Sequence, residues 1–164
     1  MFSKQVLIII IALFCFYFSW ADEPRVSYWP NGMKQTESKV VRGKLNGLSI
    51  SYYQSGIKQK EIEYRDDKEN GKEIKWRENG SKESEIDFKN GKKNGKAIIF
   101  LENGSKSTEC DYRDGDINGL FTKWFLNGNK EFENEYKNSK KNGKTTMWYE
   151  KGPKYAEMDY KNGN

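Results

Sequence analysis

Histidine is absent from all 164 residues, so the commonest general base and the commonest metal ligand are both missing. Two cysteines cannot form a disulfide framework for a chain of this length, and one of them, Cys15, sits in an apolar N-terminal run. Charge of one sign is also scarce. The net charge is +5, spread through the chain, and this gives no support for a nucleic-acid partner. No segment shows sustained helical periodicity, no glycine-rich phosphate loop precedes a helix, and no nucleophile–base pair stands out. These absences point away from an enzyme, and no cofactor or metal is expected.

What is present is unusual for so polar a chain. The mean hydropathy is −1.01, yet the sequence carries five Trp, ten Tyr, nine Phe and fifteen Gly. Disordered chains are poor in aromatics, so polarity here implies thin β-structure that buries one face. The first 21 residues stand apart. Lys4 gives a short basic start, Gln5 to Trp20 is almost wholly apolar, and Ser19-Trp20-Ala21 resembles a signal-peptidase site. Residues 1–21 therefore read as a signal peptide cut after Ala21, with an uncleaved anchor as the alternative. The apolar run, ~16 residues, is short against the ~20 that span a bilayer. The chain is expected to be exported: periplasmic, at the cell surface or secreted, and membrane-anchored if the signal stays. Loss of Lys4 would leave a mature chain of net charge +4 with Cys110 as its lone cysteine.

The remainder repeats every 24 residues. Asn-Gly recurs at Asn46, Asn70, Asn94, Asn118 and Asn142 without insertion. With that Asn as offset 0, six copies span 22–45, 46–69, 70–93, 94–117, 118–141 and 142–164. Offset 6 is aromatic in every copy (Tyr28, Tyr52, Trp76, Phe100, Trp124, Trp148). Offset 10 is always Gly, offset 12 always Lys and offset 15 always Glu, while offset 18 is Tyr or Phe after Val40 in the first copy.

Each copy reads as a β-hairpin, with strands near offsets 2–7 and 11–19, and a second turn such as Lys89-Asn90-Gly91-Lys92 leads to the next copy. The fold class is all-β: an elongated, single-layer antiparallel meander, a solenoid of six hairpin repeats. Twelve strands at ~4.8 Å spacing make a twisted ribbon ~58 Å long. The apolar offsets 4, 6, 16 and 18 are all even. A three-residue loop at offsets 8–10, with Gly in the left-handed conformation at offset 10, pairs 7 with 11 and keeps them on one face. That face is the expected core: Ile74, Trp76, Ile86 and Phe88 in one copy, and Ile98, Phe100, Cys110 and Tyr112 in the next. Odd offsets such as Glu73, Lys75 and Arg77, together with the acids at 15 and 17, are then a solvated face, with Lys or Arg at offset 19 as counter-charge. Lys at offset 12 lies across from the offset 6 aromatic, its stem over the ring and its ammonium wet.

The pattern G-x4-[WYF]-x3-G-x-K-x2-E-x2-[YF]-[KR]-[ND]-G resembles the MORN-variant repeat of bacterial proteins classed as YwqK-family antitoxins, over about residues 25–164. The resemblance implies an elongated β-meander, a protein-interaction role and neutralisation of a toxin. Related eukaryotic repeats imply scaffolding and membrane-phospholipid binding. For an exported chain, the target would act outside the inner membrane.

The leading functional expectation is thus a non-enzymatic protein-binding module, antitoxin- or immunity-like, whose partner is a toxin or an envelope protein. The alternative is a cell-envelope ligand-binding module for cell-wall carbohydrate or phospholipid headgroups at a membrane surface. In the last two copies the odd offsets turn apolar, at Phe121, Phe125, Met147, Tyr149 and Tyr155. By parity these five form a candidate protein-binding patch on the face that the core does not use. A second reading has this end cap itself, or pair its open edge strand with another copy as a homodimer.

Overall fold

The computed structural model describes residues 24–164, so the expected signal peptide and its cleavage site lie outside the described residues. The described chain is one open antiparallel sheet without helices. Its strands are β1 (Arg25–Tyr28), β2 (Lys34–Val41), β3 (Lys44–Tyr52), β4 (Lys58–Arg65), β5 (Lys68–Glu69), β6 (Gly71–Trp76), β7 (Lys82–Lys89), β8 (Lys92–Phe100), β9 (Lys106–Arg113), β10 (Asp116–Trp124), β11 (Lys130–Lys137), β12 (Lys140–Trp148) and β13 (Lys154–Tyr160). Each strand pairs with its sequence neighbours, except that β5 and β6 are one strand broken at Asn70 and both pair with β4. The meander expected from the repeat is therefore the fold.

The hairpin turn is the one that parity selects. In the third copy the Arg77 amide donates to the Ser81 carbonyl at 2.8 Å, and the Gly80 amide to the Arg77 carbonyl at 2.9 Å. Gly80 has φ +82°, as a left-handed position at offset 10 requires. The connecting turns are two-residue loops with positive φ at both positions, for example Asn90 (52°) and Gly91 (80°), the type I′ geometry that suits strand twist.

One residue beyond the turn, the expected register breaks. Trp76 opposes Lys82, but Lys75 then opposes Ser84 and Glu73 opposes Ile86, so Glu83 is an extra residue in a β-bulge. The same shift appears in the other five hairpins, at Tyr28, Tyr52, Phe100, Trp124 and Trp148. A one-residue slip sends every later side chain to the other face. The even-offset core is therefore corrected. Offsets 2, 4, 6, 12, 15 and 17 share one face, and offsets 3, 5, 14, 16 and 18 share the other.

In the second, fourth, fifth and sixth copies the first strand also starts earlier than expected, at offset −2, so the Asn-Gly at offsets 0–1 lies inside a strand rather than at a turn. Gly95 has φ +118°, and a Cβ there would stand 2.9 Å from the Asp87 side chain. Asp87 Oδ2 accepts from the Lys96 amide at 3.1 Å. The acid at offset 17 thus ties down a second bulge that only glycine fits.

Among the described residues the buried apolar side chains are few: Ile62, Ile86, Ala97 and Cys110, all on the central row of offsets 3 and 16. Ile74, Trp76, Ile98 and Phe100 are half-buried on the opposite face, so each face covers its own apolar stripe. Cys110 is a free, buried thiol whose pKa burial pushes up, as suits a small packing residue. Glu73, expected in solvent, is 4% exposed.

Candidate functional site

The two faces differ in how much they change from copy to copy. On the face holding the offset 6 aromatics, Lys at offset 12 pairs with Glu at offset 15 in all six copies, at 2.5–2.8 Å. Lys at offset 2 joins the same Glu where it is present, as in Lys96–Glu109 at 2.7 Å, Lys72–Glu85 at 3.9 Å and Lys144–Glu157. The counter-charges of the offset 15 acids are these lysines rather than the offset 19 cations, and Lys72 and Lys96 also reach Asp87 and Asp111 at offset 17. Lys82 does oppose Trp76, but the ammonium over that ring belongs to Lys58 of the preceding copy, at 5.0 Å; Lys106 and Lys130 cover Trp124 and Trp148 likewise. Hydrogen bonds from Lys144 and Lys154 hold Glu157 down at about 2, and those from Lys106 and Lys96 hold Glu109 below the usual carboxylate range. On this ladder face the aromatic at offset 6 and the Lys–Glu pair at offsets 12 and 15 recur in every copy.

The other face varies. Offset 3 runs Arg25, Ser49, Glu73, Ala97, Phe121, Thr145, and offset 14 runs Thr36, Lys60, Ser84, Thr108, Phe132, Ala156. Toward the C-terminal end it becomes aromatic and methionine-rich. Phe121 and Phe132 stack with centroids 5.7 Å apart and planes 9° apart, and Tyr136 closes on Phe121 at 6.1 Å. Phe132 opposes Met147 across the strands, the Tyr155 hydroxyl reaches Met147 Sδ at 3.4 Å, and the Tyr149 and Tyr155 rings lie 4.5 Å apart. Tyr149 and Tyr155 are 59% and 50% exposed. Phe121, Met147, Tyr149 and Tyr155 are thus brought together. Phe125 heads its own hairpin turn at offset 7, the place that Tyr149 takes one copy later, and is half-buried.

The patch does not lie on the face that the buried row avoids; it shares the face of Ile62, Ile86 and Cys110. The same bulge adds Phe132, Tyr136, Met158 and Tyr160, which parity had assigned to the opposite side. A signal for them was in the sequence. A Lys-x2-Glu pair kept in six copies cannot share a face along a regular strand, because offsets 12 and 15 differ in parity. An ion pair at that spacing requires an extra residue between them.

Beneath the patch, Asn134 Oδ1 and Thr145 Oγ1 are buried without a hydrogen-bond partner, and the two residues oppose each other across β11 and β12. Among the described residues, no cluster of three or more His, Cys, Asp and Glu is placed to hold a metal ion.

Residues 45–66 and 69–90 match the MORN repeat variant. Each matched stretch starts one residue before the second and third copies of the 24-residue frame and otherwise lies within them. MORN-variant repeats form a non-catalytic repeat module, and these two copies carry the same ladder face and turn geometry as the rest. The chain matches no curated protein.

Proposed function

We propose that this chain is a non-enzymatic binding module that holds a protein partner outside the inner membrane, in the manner of an antitoxin or immunity protein. One observation carries the reading: the aromatic–Lys–Glu ladder at offsets 6, 12 and 15 recurs in every copy, while the opposite face varies and ends in an exposed aromatic and methionine cluster. A solenoid needs each copy to dock on its neighbours, which the ladder and the buried central row do, and this leaves the exposed positions of the variable face to specify a ligand. Clusters of exposed Tyr, Phe and Met are the composition of interface centres. Export through the N-terminal segment would place the patch where a toxin or an envelope protein meets it.

The test uses the mature chain as bait on the envelope fraction, followed by calorimetry with the purified protein recovered. Phe125→Ser with Tyr149→Ser is expected to abolish that complex and leave the thermal melt within a few degrees. Unfolding of the double variant, or dissociation of a native dimer, would make the patch structural instead. Retention on peptidoglycan that the double variant does not disturb would move the function away from this patch.

A further inference from the structure

The upstream half of the variable face holds a different feature, independent of the aromatic patch. Residues of β2, β3, β4, β6 and the β7 hairpin line an open groove of about 590 Å³, inside the ~300–1,000 Å³ range of small-molecule sites. A cross-strand row forms its floor: Thr36 opposes Ser51, Ser51 opposes Lys60, and Lys60 opposes Lys75. Two lysines directly opposite one another destabilise a sheet unless something offsets them. Here a single carboxylate serves both. Glu73 Oε2 lies 3.5 Å from Lys60 Nζ, and Glu73 Oε1 lies 3.4 Å from Lys75 Nζ.

Those distances contrast with the 2.5–2.8 Å of the Lys–Glu pairs at offsets 12 and 15. They are long ion pairs, so the two ammonium groups, which are part-exposed, keep donors available for a further anionic group. Around them the lining is hydroxylic. Gln59 and Glu83, both at offset 13, also line the groove and offer acceptors for ligand hydroxyls. Tyr64 is another wall; burial, with Glu69 and Glu73 nearby, raises its phenol pKa and keeps it a neutral donor. The Tyr53 hydroxyl donates to the Trp76 carbonyl at 2.8 Å, which fixes that ring across the gap between two hairpins.

We infer that this groove binds an acidic saccharide. The Lys60–Lys75 pair takes the carboxylate, the Ser and Thr hydroxyls with Gln59 and Glu83 take the sugar hydroxyls, and the tyrosines wall the ring. A phosphate monoester fits less well, because its second negative charge would face Glu73 and Glu83, which leave the two lysines little net positive charge. Such a ligand would occupy the upstream half while the aromatic patch stays free.

The test titrates the full mature chain with a galacturonate trimer, a hyaluronate tetrasaccharide and sialyllactose, with maltotriose as the neutral control, by calorimetry and saturation-transfer NMR. At least one acidic sugar is expected to bind, at least tenfold more tightly than maltotriose. Lys75→Gln and, separately, Gln59→Ala are expected to weaken binding tenfold or more without lowering the melt; Gln59→Ala leaves the Glu73 pairs intact. Phe125→Ser with Tyr149→Ser should leave sugar binding unchanged, which separates this site from the protein-binding patch. Equal affinity for maltotriose, binding of phosphatidylglycerol vesicles in place of the sugars, or no binding by the wild type would each overturn the assignment.

Discussion

Copies two and three and copies five and six place the same offsets on the variable face, yet they build opposite surfaces. Upstream, the row of offsets 5 and 14 reads Ser51, Lys60, Lys75, Ser84; downstream it reads Lys123, Phe132, Met147, Ala156. The central row differs in a second way. Upstream it alternates buried Ile62 and Ile86 with hydrogen-bonded or ion-paired polar partners, namely the Ser38–Ser49 pair at 2.6 Å and Glu73. Downstream it holds Asn134 and Thr145 with buried oxygens lacking partners, then a part-exposed Met158. The constant ladder face and the two kinds of turn hold every copy in register, so the variable face tolerates a polar groove in one half and an aromatic patch in the other.

The largest test of this contrast is at offset 16. Ile62 is 0% exposed and Met158 is 37% exposed. Ile62→Ala should cost about 2–5 kcal/mol, as for a buried large-to-small change. Met158→Ala at the same offset should cost less than about 1 kcal/mol. Urea melts with equal losses would show that the C-terminal end is packed as tightly as the upstream copies.

A smaller test, at offset 3, carries opposite signs in the two halves. Thr145→Val removes a buried hydroxyl with no partner and should raise stability by about 1 kcal/mol, whereas Ser49→Ala breaks the bond to Ser38 and should lower it by about 1 kcal/mol. If Thr145→Val destabilises, its hydroxyl has a partner such as bound water, and the downstream row is better satisfied than it stands here.

The smallest effect belongs to the ladder face that both halves share. The folded pKa of Glu109 is depressed by Lys106 and Lys96, so its contribution is present above the unfolded value near ~4.3 and is lost as pH falls through the folded one. It is a surface pair, so no more than ~1 kcal/mol is involved. Glu109→Gln should flatten the decline of stability between about pH 5 and pH 3. An unchanged acid limb would mean that the ladder orders side chains without stabilising the fold.

Much of this protein could be read without coordinates, for a physical reason. A 24-residue period with Gly at the turn and an aromatic four residues before it leaves few foldings for a polar chain, because local turn geometry repeats wherever local sequence repeats. The number of copies, the antiparallel meander, the three-residue loop with left-handed Gly80 and the packing role of Cys110 all follow from such short-range rules. The face on which each residue lies does not. It depends on the pairing of two strands, and a single bulged residue, Glu83 in the third copy, reverses it for everything beyond. For that reason Trp76 and Ile86 part company, Glu73 is buried, and Phe132 and Tyr136 join Phe121 in one cluster. Apolar residues at odd offsets flagged Phe121, Phe125, Met147, Tyr149 and Tyr155 from the sequence. Only tertiary pairing could set them beside those partners, or bring Lys60 and Lys75, fifteen positions apart in the chain, together over one carboxylate.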